Sequence, residues 1–220
     1  MLSGHVTFVG FGLLASSMAA AIRASRLPLT IRVVSSPNTL SRARELGFAD
    51  ETFAYDDVQE WAKDTDLILL CSPILHILKM LEMLKNVSVD RPVVVSDIGS
   101  TKAEICKAGA LLPKPFLFVG GHPMAGSEKR TLEYNDPSLF ENAFWFLCPQ
   151  ASTKKEDYAL LSELISFLGS EQVLFDAKEH DDTIAWLSHM PQMVSTTLAG
   201  NLPERLLKNN YQQFASRGFR

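Results

Sequence analysis

Short apolar runs alternate with longer stretches of helical period through most of the chain. Val6 to Val9, Ile31 to Val34, Leu67 to Cys71, Val93 to Ser96 and Phe116 to Val119 read as buried strands. Ala143 to Cys148, carrying Phe144, Trp145 and Phe146, reads as another, and Val173 to Phe175 as a last short one. Helical patterns lie between them. Leu13 to Ala24 is rich in alanine, a second helix opens at Ser36-Pro37 and stops at Gly47, and a third opens at Ser72-Pro73. Lys154 to Leu168 is amphipathic and stops at Gly169. Proline suits a first helical position because its missing N–H has no partner there, and glycine suits a stop because it takes the left-handed conformation. This alternation predicts βαβ units around a mostly parallel sheet. After Asp176 only helix is expected, from Glu179 to about Asn201 with an interruption at Pro191. The organisation expected is a sheet domain over residues 1–176 and the start of an all-helical region over residues 177–220.

Composition agrees with a packed globular chain. Of its 220 residues 46% are hydrophobic and 21% charged, which leaves ample apolar surface for a core. The 21 basic residues are outnumbered by 25 acidic ones, a net charge of -4, so no overall basic field recruits nucleic acid. Cys71, Cys106 and Cys148 fit neither a disulfide framework nor a zinc-ligand spacing, and an odd count suits a reducing cytoplasm. No metal site is expected. The first residues lack a basic leader segment, and the most apolar window, Leu67 to Leu84, is interrupted by His76, Lys79 and Glu82. A cytoplasmic protein without a membrane span is therefore expected.

The segment Val9-Gly10-Phe11-Gly12-Leu13-Leu14-Ala15 matches G-x-G-x-x-G/A directly after a strand and at the start of a helix. Gly10 permits a tight turn, Gly12 a close backbone approach to a pyrophosphate, and Ala15 close packing of helix on strand. Free N–H groups and the helix dipole then favour the phosphates beside Leu13. The bland alternative is an ordinary glycine turn. Because strand, turn, helix and second strand fall in order, the fold expected is α/β, a Rossmann-type doubly wound sheet, with a dinucleotide cofactor. Ser72 and Pro73, opening the helix after a later strand, are counted among its contacts.

The end of the second strand bears on which dinucleotide binds. A carboxylate there would hold a ribose 2′-hydroxyl and repel a 2′-phosphate. Here the chain reads Val34-Ser35-Ser36-Pro37, and the first acidic residue anywhere is Glu45, while Arg23, Arg26, Arg32, Arg42 and Arg44 precede it. Ser35, Ser36 and Arg42 could receive a phosphate, which favours NADP with NAD as the alternative. A solvated basic surface around a dual-specific site is the competing reading.

Among five histidines, His5 at a strand edge and His76 on a mostly apolar helix read as structural. His122 follows a strand within Gly120-Gly121-His122-Pro123-Met124-Ala125-Gly126, at the carboxyl end of the sheet where open α/β folds bind ligands. Its imidazole can take a proton near neutral pH. Asp97-Ile98-Gly99-Ser100-Thr101-Lys102 also follows a strand and should put Ser100 on the same rim. Position alone fits loop-stabilising polar residues equally well. His180-Asp181 and Ser188-His189-Met190-Pro191 complete the candidates, without the H-E-x-x-H pattern of a helical zinc site or the G-x-S-x-G of a nucleophile elbow.

Taken together, Gly10-Phe11-Gly12-Leu13, the Asp97–Lys102 segment, Gly121-His122-Pro123-Met124-Ala125-Gly126, and His180-Asp181 followed by Ser188-His189-Met190-Pro191 resemble the prephenate/arogenate dehydrogenase family of tyrosine biosynthesis. The resemblance covers nearly the whole chain, to Ser216-Arg217-Gly218-Phe219-Arg220. It implies oxidative decarboxylation of arogenate or prephenate. His122 would accept the proton of the ring hydroxyl while hydride leaves the same carbon for nicotinamide, and Ser100 would hydrogen-bond that hydroxyl and the histidine. The resemblance also implies that His189 and, less directly, His180 line the substrate pocket, and that the C-terminal helices support a homodimer. Members commonly continue past G-F-R into an Asp-x-x-Arg segment whose arginine contacts substrate carboxylate, whereas this sequence ends at Arg220. Gln192 stands where many members place a second histidine. Two rivals are kept open: another NADP oxidoreductase of this fold, such as a hydroxyacid or imine reductase, and a non-catalytic dinucleotide-binding scaffold or sensor. A hydroxyacid reductase would place a lysine on the helix after residue 176, and Lys178 is too early for it.

Overall fold

The structure, a computed structural model, describes residues 2–201. Contacts divide the chain into two compact units, residues 1–180 and 181–220. In the first unit eight strands form one sheet in the order β3-β2-β1-β4-β5-β6-β7-β8. β1 is Gly4–Val9, β2 Leu29–Val34, β3 Glu51–Phe53, β4 Leu67–Leu70, β5 Val93–Asp97, β6 Phe116–Pro123, β7 Phe144–Pro149 and β8 Glu171–Leu174. Pairing is parallel from β3 through β6; β7 then runs antiparallel to β6, and β8 parallel to β7. The first six strands have the doubly wound order whose switch point falls between β1 and β4, with Gly10 and Ser72 just beyond the two strand ends.

Successive side chains of the central strands enter opposite layers, as the two-residue period of a strand requires. Phe8, Ile31, Val33, Leu67 and Leu69 share one core with Met18 and Ile22 of helix α1 (Leu13–Ala24) and with Leu161 and Ile165 of α6 (Ala159–Phe167). Val9, Val34, Ile68 and Leu70 share the other with Trp61 of α3 (Val58–Ala62) and Ile77, Leu81 and Leu84 of α4 (Ile74–Leu84). The remaining helices of this unit are α2 (Pro37–Glu45) and α5 (Ala103–Gly109), and α7 (Ala177–Ile184) starts within it.

Several elements differ from the sequence expectation. The short edge strand β3 and helix α3 were not expected. The amphipathic stretch from Lys154 begins as a 3-10 turn, Lys155–Tyr158, held by the Asp157 carboxylate accepting from the Lys154 N–H at 2.9 Å, and becomes α-helix only at Ala159. β6 runs four residues beyond the expected end at Val119. Two glycines end the apolar run in sequence, but the antiparallel ladder to β7 continues through Gly120↔Cys148, Gly121↔Leu147 and His122↔Phe146. His122 therefore sits within a strand, not in the loop after one.

In the second unit Pro191 does not interrupt the helix. Ala185–His189 form a π-helical stretch that leads into α8 (Met190–Gly200). A proline has no N–H for the carbonyl four residues back and its ring collides with it; a wider turn just before it removes both conflicts. The expected Ser216–Arg220 segment lies outside the described residues. No helix among the described residues is long and apolar enough to cross a membrane.

Candidate active site

The cleft begins at the turn after β1. Gly10 has φ +93 and donates its N–H to Val34 O at 2.8 Å. A β-carbon there would stand 2.3 Å from Ser72 Oγ and 2.7 Å from the Cys71 carbonyl, so both backbone conformation and space demand glycine. Ser72 Oγ donates to Val9 O at 3.1 Å, tying the end of β4 to the turn. A β-carbon on Gly12 would lie 2.9 Å from Arg130 O, and the Leu13 N–H, the first of α1, donates to that same carbonyl at 3.0 Å. The Gly126–Thr131 segment thus lies against the helix start and occupies one of its amides, which nothing in the sequence pattern suggested. Ala15 is buried.

Gly10, Gly12, Leu13, Ala15, Ser35, Ser36, Arg42, Ser72 and Pro73 all line one cleft of about 970 Å³, and Ser100 lines it too. With glycine at both positions the turn presents bare backbone to this cleft, beside the start of α1, so the residues present fit a dinucleotide.

The basic character of residues 1–44 is mostly structural. Arg23 pairs with Asp50 at 2.7 Å, and the nearly buried Arg32 pairs with Glu51 at 3.0 Å while donating to carbonyls of Glu60, Trp61 and Lys63. Arg44 donates to Thr52 Oγ1. Of the five arginines only Arg42 lines the cleft, where its partners are Glu45 at 2.9 Å and Glu133 at 3.9 Å. A carboxylate does reach this end of the cleft, then, but from a segment about ninety residues away from Arg42 (133 minus 42). The Thr131 hydroxyl, its own backbone and Arg42 hold the Glu133 carboxyl below the usual range.

The rim of β5 and β6 is built around a buried ion pair. Asp97 and Lys102 are both fully buried and bonded to each other. Asp97 accepts from the Gly99 N–H at 2.8 Å and the Gly121 N–H at 3.0 Å; Lys102 donates to Gly121 O at 2.7 Å. Buried charges persist only when paired and hydrogen-bonded in this way. The arrangement clamps the residue before His122 to the end of β5. Burial and then Asp97 push the Cys71 thiol far above its ordinary range, so it is no nucleophile at neutral pH.

His122 itself is buried, 8% exposed, and its Nδ1 lies 2.9 Å from Nε2 of His180. His180 is fully buried. Its ring packs against those of His122, Phe146 and Phe175. The structure thus brings His122 and His180 together, sets Ser100 in the cleft at the end of the neighbouring strand, and puts His189 in the π-helical stretch of the second unit. His5 bonds the Asp64 carbonyl at 2.6 Å and His76 stacks edge-on against Tyr55, in keeping with structural roles. No group of side chains suited to a metal ion occurs among the described residues.

Strand order, glycine turn and cleft together define a Rossmann-type nucleotide-binding domain. The chain belongs to the prephenate dehydrogenase family: the family model described as "Prephenate dehydrogenase, nucleotide-binding domain" matches residues 18–174, and that described as "Prephenate dehydrogenase, dimerization domain" matches residues 176–220. Prephenate dehydrogenase of Bacillus subtilis is 31% identical over 220 residues, 98% of this chain and 58% of that protein. Cyclohexadienyl dehydrogenase of Zymomonas mobilis is 27% identical over 89% of this chain and 66% of its own length. The chain therefore spans between half and two thirds of the length of these relatives. Among solved structures, prephenate dehydrogenase of Aquifex aeolicus in complex with hydroxyphenyl propionate and NAD+ superposes with a TM-score of 0.81 at 28% identity, over 92% of this chain and 70% of that one. Synechocystis arogenate dehydrogenase superposes with a TM-score of 0.76 at 29% identity, over 98% and 76%. A pyrroline-5-carboxylate reductase from Coxiella burnetii, at 18% identity and a TM-score of 0.62, shares the fold alone.

Proposed function

We propose that this chain carries the cofactor-binding and proton-accepting parts of an NAD(P)-dependent dehydrogenase that oxidatively decarboxylates arogenate or prephenate. The observation that carries the reading is the cleft, which joins the glycine turn at Gly10 and Gly12 to Ser100, in a member of this family. The backbone of Gly10 and Gly12 would approach the pyrophosphate, and Leu13 would reach it with its N–H once the bond to the Arg130 carbonyl is given up. Ala15 would let α1 pack close behind the turn, and Ser72 and Pro73 would hold the chain beyond it. Ser35, Ser36 and Arg42 would hold the adenosine ribose. With Arg42 beside Glu133, the site offers a cation to a 2′-phosphate and a carboxylate to a 2′-hydroxyl, so NADP binds at least as well as NAD.

The chemistry a nicotinamide supplies when bound is acceptance of a hydride from the carbon bearing the substrate hydroxyl. His122 takes the hydroxyl proton, Ser100 orients that hydroxyl by a hydrogen bond, and departure of carboxylate makes the ring aromatic. His189 is assigned to the substrate pocket. Family membership favours this dehydrogenase chemistry over a reductase or a scaffold. The second unit, which matches the dimerization model, leaves Trp186, Leu187, Met193 and Val194 exposed, and we assign it to a homodimer interface.

The test is absorbance at 340 nm with arogenate and with prephenate, each offered NAD and NADP, alongside light scattering for the dimer. Turnover of at least one acid is expected; turnover of neither overturns the reading.

A further inference from the structure

We propose that His180 is the positioning residue of His122: its Nε2 accepts the Nδ1 hydrogen of the His122 ring, fixes that ring's tautomer and makes Nε2 of His122 the proton acceptor. The proposal rests on the reading of His122 as the base.

The two nitrogens lie 2.9 Å apart, a good hydrogen-bond distance, in a buried setting. At that separation one hydrogen is shared; two donors or two lone pairs face to face would repel. Only one of the two arrangements serves the reaction. With the hydrogen on Nδ1 of His122, its Nε2 carries a lone pair and can accept. With the hydrogen on His180, Nε2 of His122 already bears one and can only donate. Which nitrogen of an imidazole reacts is set by the bond its other nitrogen makes.

Each ring is also held by contacts beyond the bond between them. On one side, His122 is fixed in the β6–β7 ladder opposite Phe146, and Gly121 before it is clamped by Asp97 and Lys102. On the other, the Asp176 carboxylate accepts from the Lys178 N–H at 2.9 Å and the Glu179 N–H at 3.1 Å, and the His180 N–H donates to Asp176 O at 2.8 Å. This cap sets the first turn of α7 and with it the His180 ring. Phe146 and Phe175 then pack edge-on against His180, with centroids at 5.4 and 6.3 Å, and against each other at 5.2 Å. Turning the ring would cost these contacts.

In the reaction the substrate O–H bond breaks and an N–H bond forms at Nε2 of His122. The proton stays on His122, which now holds hydrogen on both nitrogens, and the hydride leaves separately for nicotinamide. The Nε2 lone pair of His180 faces the positive charge that develops. A carboxylate takes this place in serine hydrolases; here a second imidazole takes it.

The experiment is nitrogen-15 NMR of the imidazoles in the 220-residue protein, with His122 assigned by His122→Asn, combined with kinetics of His180→Phe and His180→Gln. The expected spectrum shows His122 with hydrogen on Nδ1. In His180→Phe that signature is lost and kcat falls about ten- to a hundredfold, the size typical of removing a group that orients a functional histidine, while KM holds. In His180→Gln, whose amide oxygen can accept the same hydrogen, both largely return; this variant also serves if His180→Phe fails to fold. Hydrogen on Nε2 of His122 in the unmodified protein, or an unchanged signature and kcat in both variants, overturns the proposal. The spectrum needs no substrate, so an Nδ1 signature in a protein that turns over neither acid would sink the proposed function and leave the pair standing.

Discussion

Asp97 and Lys102 form an ion pair that neither shares with solvent, and both reach across to the backbone of Gly121, one residue before His122. The pair therefore couples the stability of the sheet rim to the placement of the candidate base. Asp97→Asn leaves a buried ammonium without its counter-charge and should destabilise the protein by about 3–5 kcal/mol. Asp97→Leu combined with Lys102→Met removes both charges, yet strands the Gly99 and Gly121 N–H groups at about 1–3 kcal/mol each. Urea unfolding should place the double variant well above the sum of its parts but below the unmodified protein.

At the helix start, Gly12→Val should be felt by the cofactor more than by the core. Its side chain would meet the Arg130 carbonyl and push aside the segment from Gly126 to Thr131, which packs on the turn from outside. Calorimetry should find nicotinamide dinucleotide binding abolished, with the melting temperature lowered modestly by the shift of that segment and the loss of the Leu13–Arg130 bond. Gly10→Ala differs, because it forces a β-carbon into left-handed backbone against Ser72 and Cys71, and should lower both.

The contact between Arg42 and Glu133 makes a graded prediction about selectivity. Glu133→Gln removes the charge that would repel a 2′-phosphate and should raise the NADP to NAD affinity ratio about two- to fivefold, the scale of a solvent-exposed charge contact. Arg42→Ala should move it the other way. Because the Glu133 carboxyl is held below the usual range, it is ionised across neutral pH. The Glu133 contribution to the ratio, read as the difference between the unmodified protein and Glu133→Gln, should stay flat there. It should fade only on acidification through that lowered range, below the pH of about 6 where the 2′-phosphate itself takes up a proton.

The buried thiols give a stability change on the alkaline side. Hydrogen bonding with Cys106 and burial push the Cys148 thiol above its ordinary range, and burial and Asp97 do the same for Cys71. A raised folded-state pKa contributes stability that is complete below the unfolded value of about 8.5 and declines as pH rises beyond it, by about 1.4 kcal/mol per pH unit for each group. Urea titrations from pH 7.5 to 10 should show this decline, and Cys148→Ala should make it shallower by about one group's share.

The central strands could be read from sequence because each buries both faces and appears as an unbroken apolar run, as in Leu67–Leu70. The glycine turn could be read because its demands are local. β3 could not: Glu51–Phe53 has no apolar run and exists because Arg32, Val33 and Val34 offer it a ladder. The extension of β6 through His122 was hidden for the same reason, since pairing with β7 overrides the poor strand propensity of two glycines. Glu133 at Arg42 and His180 at His122 are contacts between residues 91 and 58 positions apart (133 minus 42, 180 minus 122), set by tertiary packing that no spacing rule reports. The arginines mislead in the opposite sense: three of the five are spent on β3, its flanks and nearby carbonyls.

His122 is the base in this reading, and its replacement decides it. His122→Asn suits the test, because an asparagine amide reaches about as far as Nδ1 and can keep a hydrogen bond to His180, so the buried rim survives while the acceptor at Nε2 is gone. Removing a general base costs about 10²–10⁴-fold in rate, whereas removing a structural side chain appears mainly in stability. The expected result is a kcat lowered by that factor with cofactor affinity and melting temperature nearly unchanged. Ser100→Ala should be milder, since it removes an orienting hydrogen bond from an exposed cleft position and leaves the acceptor in place. The profile of kcat/KM against pH should show one group that must be unprotonated, titrating in the histidine range, and that limb should vanish in His122→Asn. Turnover near that of the unmodified protein in His122→Asn would remove the histidine from the chemistry and return it to the role of a packed strand residue.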